Sequence, residues 1–434
     1  MRLIPFVFAI VFIPAPALPA ASVGTNPPSL PLTAERINAL PAAEQAVWHR
    51  YLAKSRALRV TDQALLADEL KATGLQEAIV PPEARGGRIM PANESPAWYA
   101  GREARRQADN VISFQTPAGG WTKNFNPTDH PRARGEAFSH DAPQFRPAEG
   151  KGPLVASRWA YVGTFDNDAT ITELRFLARI IAAADEGTGA AWRRAFDRGL
   201  DYIFSAQYPH GGWPQTWPLD GGYHDAVTFN DGAMANILTL LFDVARGEKA
   251  FAFVSAARRD RAAASARLGL ECVLRCQIAV AGRRTGWCQQ HDVLTLAPTS
   301  ARNYEMPAVS GGESAGLVTL LMSLPAPSGE VVAAVHDAVA WFEAVKLRDV
   351  EWRPAPDGSG RTLLATPGAA ALWARYYDIG TDRPLFGDRD KSIHDDVNDI
   401  SRERRNGYAW FGNGPAKVLE RYPAWAKLHP RPVR

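Results

Sequence analysis

The sequence has little of several things. Three cysteines in 434 residues (Cys272, Cys276 and Cys288) exclude a disulfide scaffold. Cys276 and Cys288 with His291 match no standard zinc spacing, so buried thiols or a single disulfide are expected. No nucleophile elbow, P-loop, HExxH or dinucleotide fingerprint appears. Charge of one sign is scarce too, at a formal +3. Beyond the N-terminus there is no apolar run long enough to span a bilayer. The N-terminus itself, MRLIPFVFAIVFIPAPALPAAS, has one Arg, an apolar run and then small residues. It reads as a secretory signal peptide over residues 1–21, ending near Ala20 or Ala21. Its removal takes Arg2 away and leaves about +2, which argues for no nucleic-acid partner and no membrane partner. A secreted or periplasmic location follows.

What is abundant is tryptophan, at 13, in a chain that is 46% hydrophobic and 22% charged. Three of these residues share a setting. GGWTKN runs from Gly119 to Asn124, GGWPQ from Gly211 to Gln215, and TGWCQQ from Thr285 to Gln290. The tryptophans are about 92 and then 74 residues apart. Each copy follows a helical pattern and a glutamine: Trp98 to Phe114 then Gln115, Ala191 to Ala206 then Gln207, Ala262 to Cys276 then Gln277. Each is followed by a second helix. Ile171, Leu174, Leu177, Ala178 and Ile181 line one face of the first, and Met234, Ile237, Leu238 and Leu241 one face of the second. Gly312 to Leu324 is the third.

Three helix pairs with equivalent loops predict an all-α, (α/α)3 toroid with its GW loops on one rim of one groove. The competing reading makes Gly-Gly a helix cap and Trp a core plug. Residues 22–31 read as a disordered linker and 32–94 as a small helical N-terminal region, with Ile37, Leu40, Val47 and Tyr51 at helical steps. The toroid takes 95–434. Residues 119–165 lack periodicity, which in a stretch that long suggests a cover over a site. A few short strands are expected near Ala371–Ile379 and Arg383–Phe386.

Two acidic clusters open the second helices: Asp166-Asn167-Asp168 and Asn230-Asp231. Capping is their plain explanation, with Thr170 and Glu173 as a capping box. Facing one groove, their oxygens suit calcium instead. Arg302 lies in SARNYEMP, at the matching place of the third repeat. Arg375 and Arg389 are fourteen residues apart near Trp373, Tyr376 and Tyr304. Guanidinium groups around a groove suit carboxylates. Together these point to an acidic polysaccharide. His210, His224 and His291 have no evident partner.

GGWTKN, TFDNDATITELRFLARI, YPHGGWPQTWP, VTFNDGAMANIL, SARNYEMP and WARYYDIGTDRPLFGDRD resemble the motifs of family 10 of the polysaccharide lyases, the pectate lyases. The resemblance runs in order from about Ser95 to Asn413. It implies calcium-assisted anti β-elimination of polygalacturonate by a monomer, with Ca2+ as cofactor. Arg302 matches the catalytic Arg. Asp166 and Asp231 match the acidic pair at the metal, Asp166 being catalytic as well, although Asp168 competes for that role. Lys123, Asn167, Arg375 and Arg389 match substrate-binding positions. Thr122 departs from the Pro more usual in the family. On residues alone, a toroid glycosidase with Asp166 and Asp231 as acid and base, or a non-catalytic pectin-binding protein, stays open.

Overall fold

The computed structural model describes residues 22–83, 90–124, 126–140, 145–147, 154–156, 161–185 and 187–432. The segment read as a signal peptide lies outside them. Among the described residues, twelve α-helices run in order: α1 Ala34–Asn38, α2 Ala42–Thr73, α3 Pro96–Ala100, α4 Arg102–Ser113, α5 Ile171–Ala183, α6 Ala190–Ala206, α7 Ala233–Arg246, α8 Ala256–Cys276, α9 Gly311–Met322, α10 Gly329–Ala344, α11 Arg402–Gly407 and α12 Gly414–Leu428. The expected helical toroid is present. α5, α7 and α9 form its inner layer, with α7 packed on both others, and α6, α8 and α10 pack against them in turn, with α4 also against α5. The apolar stripes read from the sequence are buried: Leu174, Leu177, Ile181, Met234, Ile237, Leu238 and Leu241 all join one continuous core.

The repeated loops are pins. Trp121, Trp213 and Trp287 are fully buried. Each indole N–H donates back into the preceding outer helix: to Val111 O at 2.8 Å, Ile203 O at 2.9 Å and Val273 O at 2.7 Å. A fourth, unsuspected copy follows α10, where Trp373 donates to Phe342 O at 2.8 Å. The glutamine before each loop is equally regular. Gln115 donates to Gly119 O and Ala195 O, Gln207 to Gly211 O and Ser265 O, and Gln277 to Thr285 O and Ala334 O. Each amide thus ties its own loop to the next outer helix. Gly119 and Gly211 have φ of +105° and +102°, and a Cβ there would lie 2.5 Å from Arg198 O and 2.1 Å from Leu268 O. Only glycine permits that approach.

The core-plug reading of the tryptophans therefore holds, and the tryptophans themselves do not line a groove. Three other expectations are corrected. Residues 22–31 are not a disordered linker: Gly24–Thr25 pairs with Ser392 and Ile393, and Asn26 donates to Arg302 O, Asn303 O and Glu305 O while its own oxygen accepts from Ser300. A polar segment is ordered here because it completes a sheet edge and a loop. That sheet has five antiparallel strands, in the order 24–25, 392–394, 384–387, 376–377 and 309–310. The helix expected from Trp98 to Phe114 is broken at Gly101, where the backbone is extended. Only half of the Thr170–Glu173 capping box forms: Glu173 accepts from the Thr170 N–H, but the Thr170 side chain does not cap the helix. Thr170 has φ +68° with no side-chain cap, and its hydroxyl instead donates to Thr164 O and accepts from the Trp121 N–H.

The long α2 packs Trp48, Tyr51 and Leu52 into the main core. Its Asp62 is fully buried and accepts from the Ala118 N–H at 2.8 Å, beside the first GW loop. Burial raises that carboxyl to about 7, against an opposing hydrogen bond from Ala118 and the charge of Arg59. A carboxyl raised in the folded state binds protons that the unfolded chain releases, so stability falls as pH climbs from about 4 through 7. Asp62→Asn should raise the melting temperature at pH 8 and leave it nearly unchanged at pH 4; equal shifts at both would contradict this. Gln207→Ala leaves two buried carbonyls short of a donor and should cost about 1–3 kcal/mol, read as earlier thermal unfolding.

Candidate active site

Each GW loop aims the residue two places after its tryptophan. Those residues are Lys123, Gln215 and Gln289, with Arg375 as the fourth equivalent. The inner helices begin in a matching way. The N–H groups of Thr164, Thr228 and Ser310 donate to the carbonyls of Trp121, Trp213 and Trp287. The next N–H groups, of Phe165, Phe229 and Gly311, donate to the carbonyls of Gln215, Gln289 and Arg375. Every repeat thereby grips the aimed residue of the following one. The repeats also set Asn167 against Asp231, at φ +52° and +50°, in tight left-handed turns ahead of α5 and α7. A short polar side chain tolerates that conformation. None of these Asp or Asn side chains caps its helix.

These turns close on a cavity of about 140 Å³ lined by Lys123, Asp166, Asn167, Asp231 and Arg302, together with Tyr161, Gln215, Tyr223, Asn230, Gln289, Gln290, Ala301 and Glu305. Lys123, Asp166, Asn167, Asn230, Asp231 and Arg302, all singled out in the sequence, thus meet there. Lys123 Nζ bonds Asp166 Oδ2 and sits 3.8 Å from the Tyr161 ring centre. The other Asp166 oxygen is buried with no hydrogen-bond partner among the described residues. Burial, and then the charge of Asp166, push Asp231 up to about 6, while Arg375 pulls the other way. Two carboxylates that repel, one with an orphaned oxygen, fit a hard cation. Among the described residues no group of three or more His, Cys, Asp or Glu gathers for a metal, so further oxygen ligands would come from elsewhere. Asp168 turns away to Asn236 of α7, so Asp166 is the carboxylate of this run that lines the cavity.

Arg302 lies on the 300–305 loop with its side chain 44% exposed, against 2% for Glu305. Its Nε donates to Glu305 Oε2 at 2.9 Å and its terminal nitrogen to Oε1. That fork outweighs burial and holds the guanidinium well above its ordinary value. Glu305 also accepts from Tyr408 at 2.6 Å. Arg375 is placed beneath the cavity. It donates to Asn230 Oδ1 at 2.9 Å and Glu313 Oε1 at 2.8 Å, and Gln289 Oε1 lies at 3.3 Å. Arg389 stands at the exposed rim in a fork with Glu403, and its carbonyl accepts from Asn303, next to Arg302.

Sequence reasoning missed Tyr161, Tyr223, Gln215, Gln289 and Glu305. The spacing of two after each tryptophan would have found the two glutamines; no pattern marks the tyrosines. The histidines stay outside the chemistry. His210 bonds Val293 O, His224 packs on Tyr223, and buried His291 bonds Leu296 O and is pushed down to about 4. The three cysteines are free and buried.

The family model described as pectic acid lyase matches residues 115–419. No curated protein matches. Two solved structures of a family 10 polysaccharide lyase from Cellvibrio cellulosa resemble the chain. One, a mutant in complex with trigalaturonic acid, is 32% identical, with a TM-score of 0.62 over 77% of this chain and 96% of that one. The other is 31% identical, with a TM-score of 0.63 over the same shares. A family match across most of the chain, the shared toroid and these identities place the chain among the pectate lyases, family 10 of the polysaccharide lyases.

Proposed function

We propose that this lyase is a secreted or periplasmic, monomeric enzyme that cleaves α-1,4-polygalacturonate by calcium-assisted anti β-elimination, with Arg302 as base, leaving 4,5-unsaturated products. The observation that carries the reading is the single cavity that gathers Asp166, Asp231, Lys123 and Arg302. The complex of the Cellvibrio enzyme with trigalaturonic acid supports a galacturonate substrate. No helix among the described residues is long and apolar enough to cross a membrane.

In a galacturonan the hydrogen on C5 lies next to the C6 carboxylate, and its removal builds an enolate-like dianion. Calcium, held by Asp166 and Asp231, would supply Lewis-acid neutralisation of that carboxylate. The chain's own cations do the same work electrostatically. Lys123 is poised over Asp166, and Asn167 offers an amide at the cavity wall. Arg375 acts from below, keeping Asn230 and Gln289 in place. Arg389 receives a neighbouring uronate at the rim, exchanging Glu403 for the substrate carboxylate. Preorganised donors of this kind are each worth about 100- to 1000-fold in rate.

Arg302 takes the C5 proton only when neutral, and Glu305 keeps it charged. The rate should therefore climb with pH through the alkaline range. Removing the neighbouring negative charge loosens the proton. Glu305→Gln, which still offers an acceptor to the loop, should move the rising limb of the kcat–pH profile to lower pH. An unmoved limb would argue that Arg302 is a clamp and another group is the base. Arg302→Lys should cut kcat by at least about 100-fold while polygalacturonate still binds.

The defining assay is ultraviolet absorbance of unsaturated products from polygalacturonate, with and without calcium. Activity is expected only with the metal. Calcium should also raise the melting temperature of the protein, and should fail to do so for Asp231→Asn. Undiminished activity under a chelator would overturn the calcium assignment.

A further inference from the structure

Elimination also needs a proton where the chain is cut. When the C4–O4 bond breaks, O4 leaves as an alkoxide, and nothing assigned above protonates it. Two groups in the cavity are without a role: Tyr161 and Tyr223. Both line it, yet they come from separate segments of the chain. Their hydroxyl oxygens lie 3.1 Å apart. A pair of hydroxyls carries two protons, and one hydrogen bond between them uses only one. No other described group accepts the second proton, so it is free to be given into the cavity.

The surroundings hold the rings still. Lys123 Nζ lies 3.8 Å from the centre of the Tyr161 ring. The His224 ring lies 4.0 Å from that of Tyr223, centre to centre. Burial is the main cause holding both phenols above their ordinary value, so both are protonated across the pH range in which a lyase of this kind would work.

We propose that the Tyr161–Tyr223 pair is the proton donor to the leaving O4 oxygen, an assignment that rests on the lyase reading. The C5–H proton goes to the base, and the electron pair it leaves becomes the C4=C5 double bond. The C4–O4 bond breaks with its electrons on O4. O4 takes a proton from one tyrosine, and water later restores it. Nothing is oxidised or reduced. The phenolate left behind is stabilised twice. The second hydroxyl donates to it across the 3.1 Å contact, and the Lys123 ammonium beside the Tyr161 ring favours added negative charge. Either oxygen can be the one that gives up its proton, because the other then turns to donate.

The test compares two substrates. Polygalacturonate has a poor leaving group that needs an acid; a galacturonide carrying a nitrophenyl group on O4 does not. Tyr161→Phe and Tyr223→Phe should each lower kcat on polygalacturonate by about 10-fold, and the double variant by about 100-fold or more, with KM within about twofold. On the nitrophenyl substrate all three should stay within about threefold of wild type, which also shows that they are folded. Equal losses on both substrates, a loss confined to KM, or no loss at all would overturn the proposal. If wild type itself leaves polygalacturonate intact, the lyase reading fails before the tyrosines are tested.

Discussion

One set of backbone hydrogen bonds organises the molecule. Phe165, Phe229 and Gly311 each donate to the carbonyl of a residue two places past a buried tryptophan in the next repeat. Each tryptophan is fixed by its own indole to the outer helix it follows. The aimed residue is therefore located by two anchors, one in its own repeat and one in the repeat before. A buried N–H or C=O left unpaired is costly, so none of these turns moves alone. That is how rigid helices bring four separated loops to one place without any disulfide. It also explains why the loop is written several times. The tryptophan is scaffold and is kept in every copy, while the residue two places on varies as Lys123, Gln215, Gln289 and Arg375.

The charges around the cavity alternate in a way that suits a polyanionic substrate. Lys123 faces Asp166, Asp231 lies between Asp166 and Arg375, and Arg375 meets Glu313. Arg302 faces Glu305. Each cation is held by a carboxylate before substrate arrives, which fixes its position, since an unpartnered long side chain would be spread over many rotamers. The tight turns at Asn167 and Asp231 contribute in the same sense. Their left-handed backbones aim short polar side chains at the cavity and leave the helix ends uncapped. Backbone strain of this kind clusters at functional sites, and here it falls where the turns meet the cavity.

Much of this was legible in the sequence, unevenly. Helix pairs were readable because an inner helix of a toroid must bury one stripe, and Leu174, Leu177, Met234 and Leu241 display it. The acidic turns were readable as a site once two of them faced one groove. Arg302, Arg375 and Arg389 were reached through family resemblance; a lone arginine carries no periodic signal. The N-terminal segment was misread because low hydrophobicity and prolines suggest disorder, whereas Asn26 is held by three carbonyls of the Arg302 loop. Tyr161, Tyr223 and Glu305 escaped notice for a related reason. Their proximity arises from chain crossings between distant segments, which no local pattern encodes.

The central claim is that turns from different repeats converge on one uronate. A crystal structure of the Arg302→Lys variant with trigalacturonate and calcium tests it most directly. The account predicts one sugar carboxylate lodged among Lys123, Asp166, Asp231 and the residue at 302, with the metal against both aspartates. A trisaccharide bound on another face, or a metal held without Asp166 and Asp231, would contradict it.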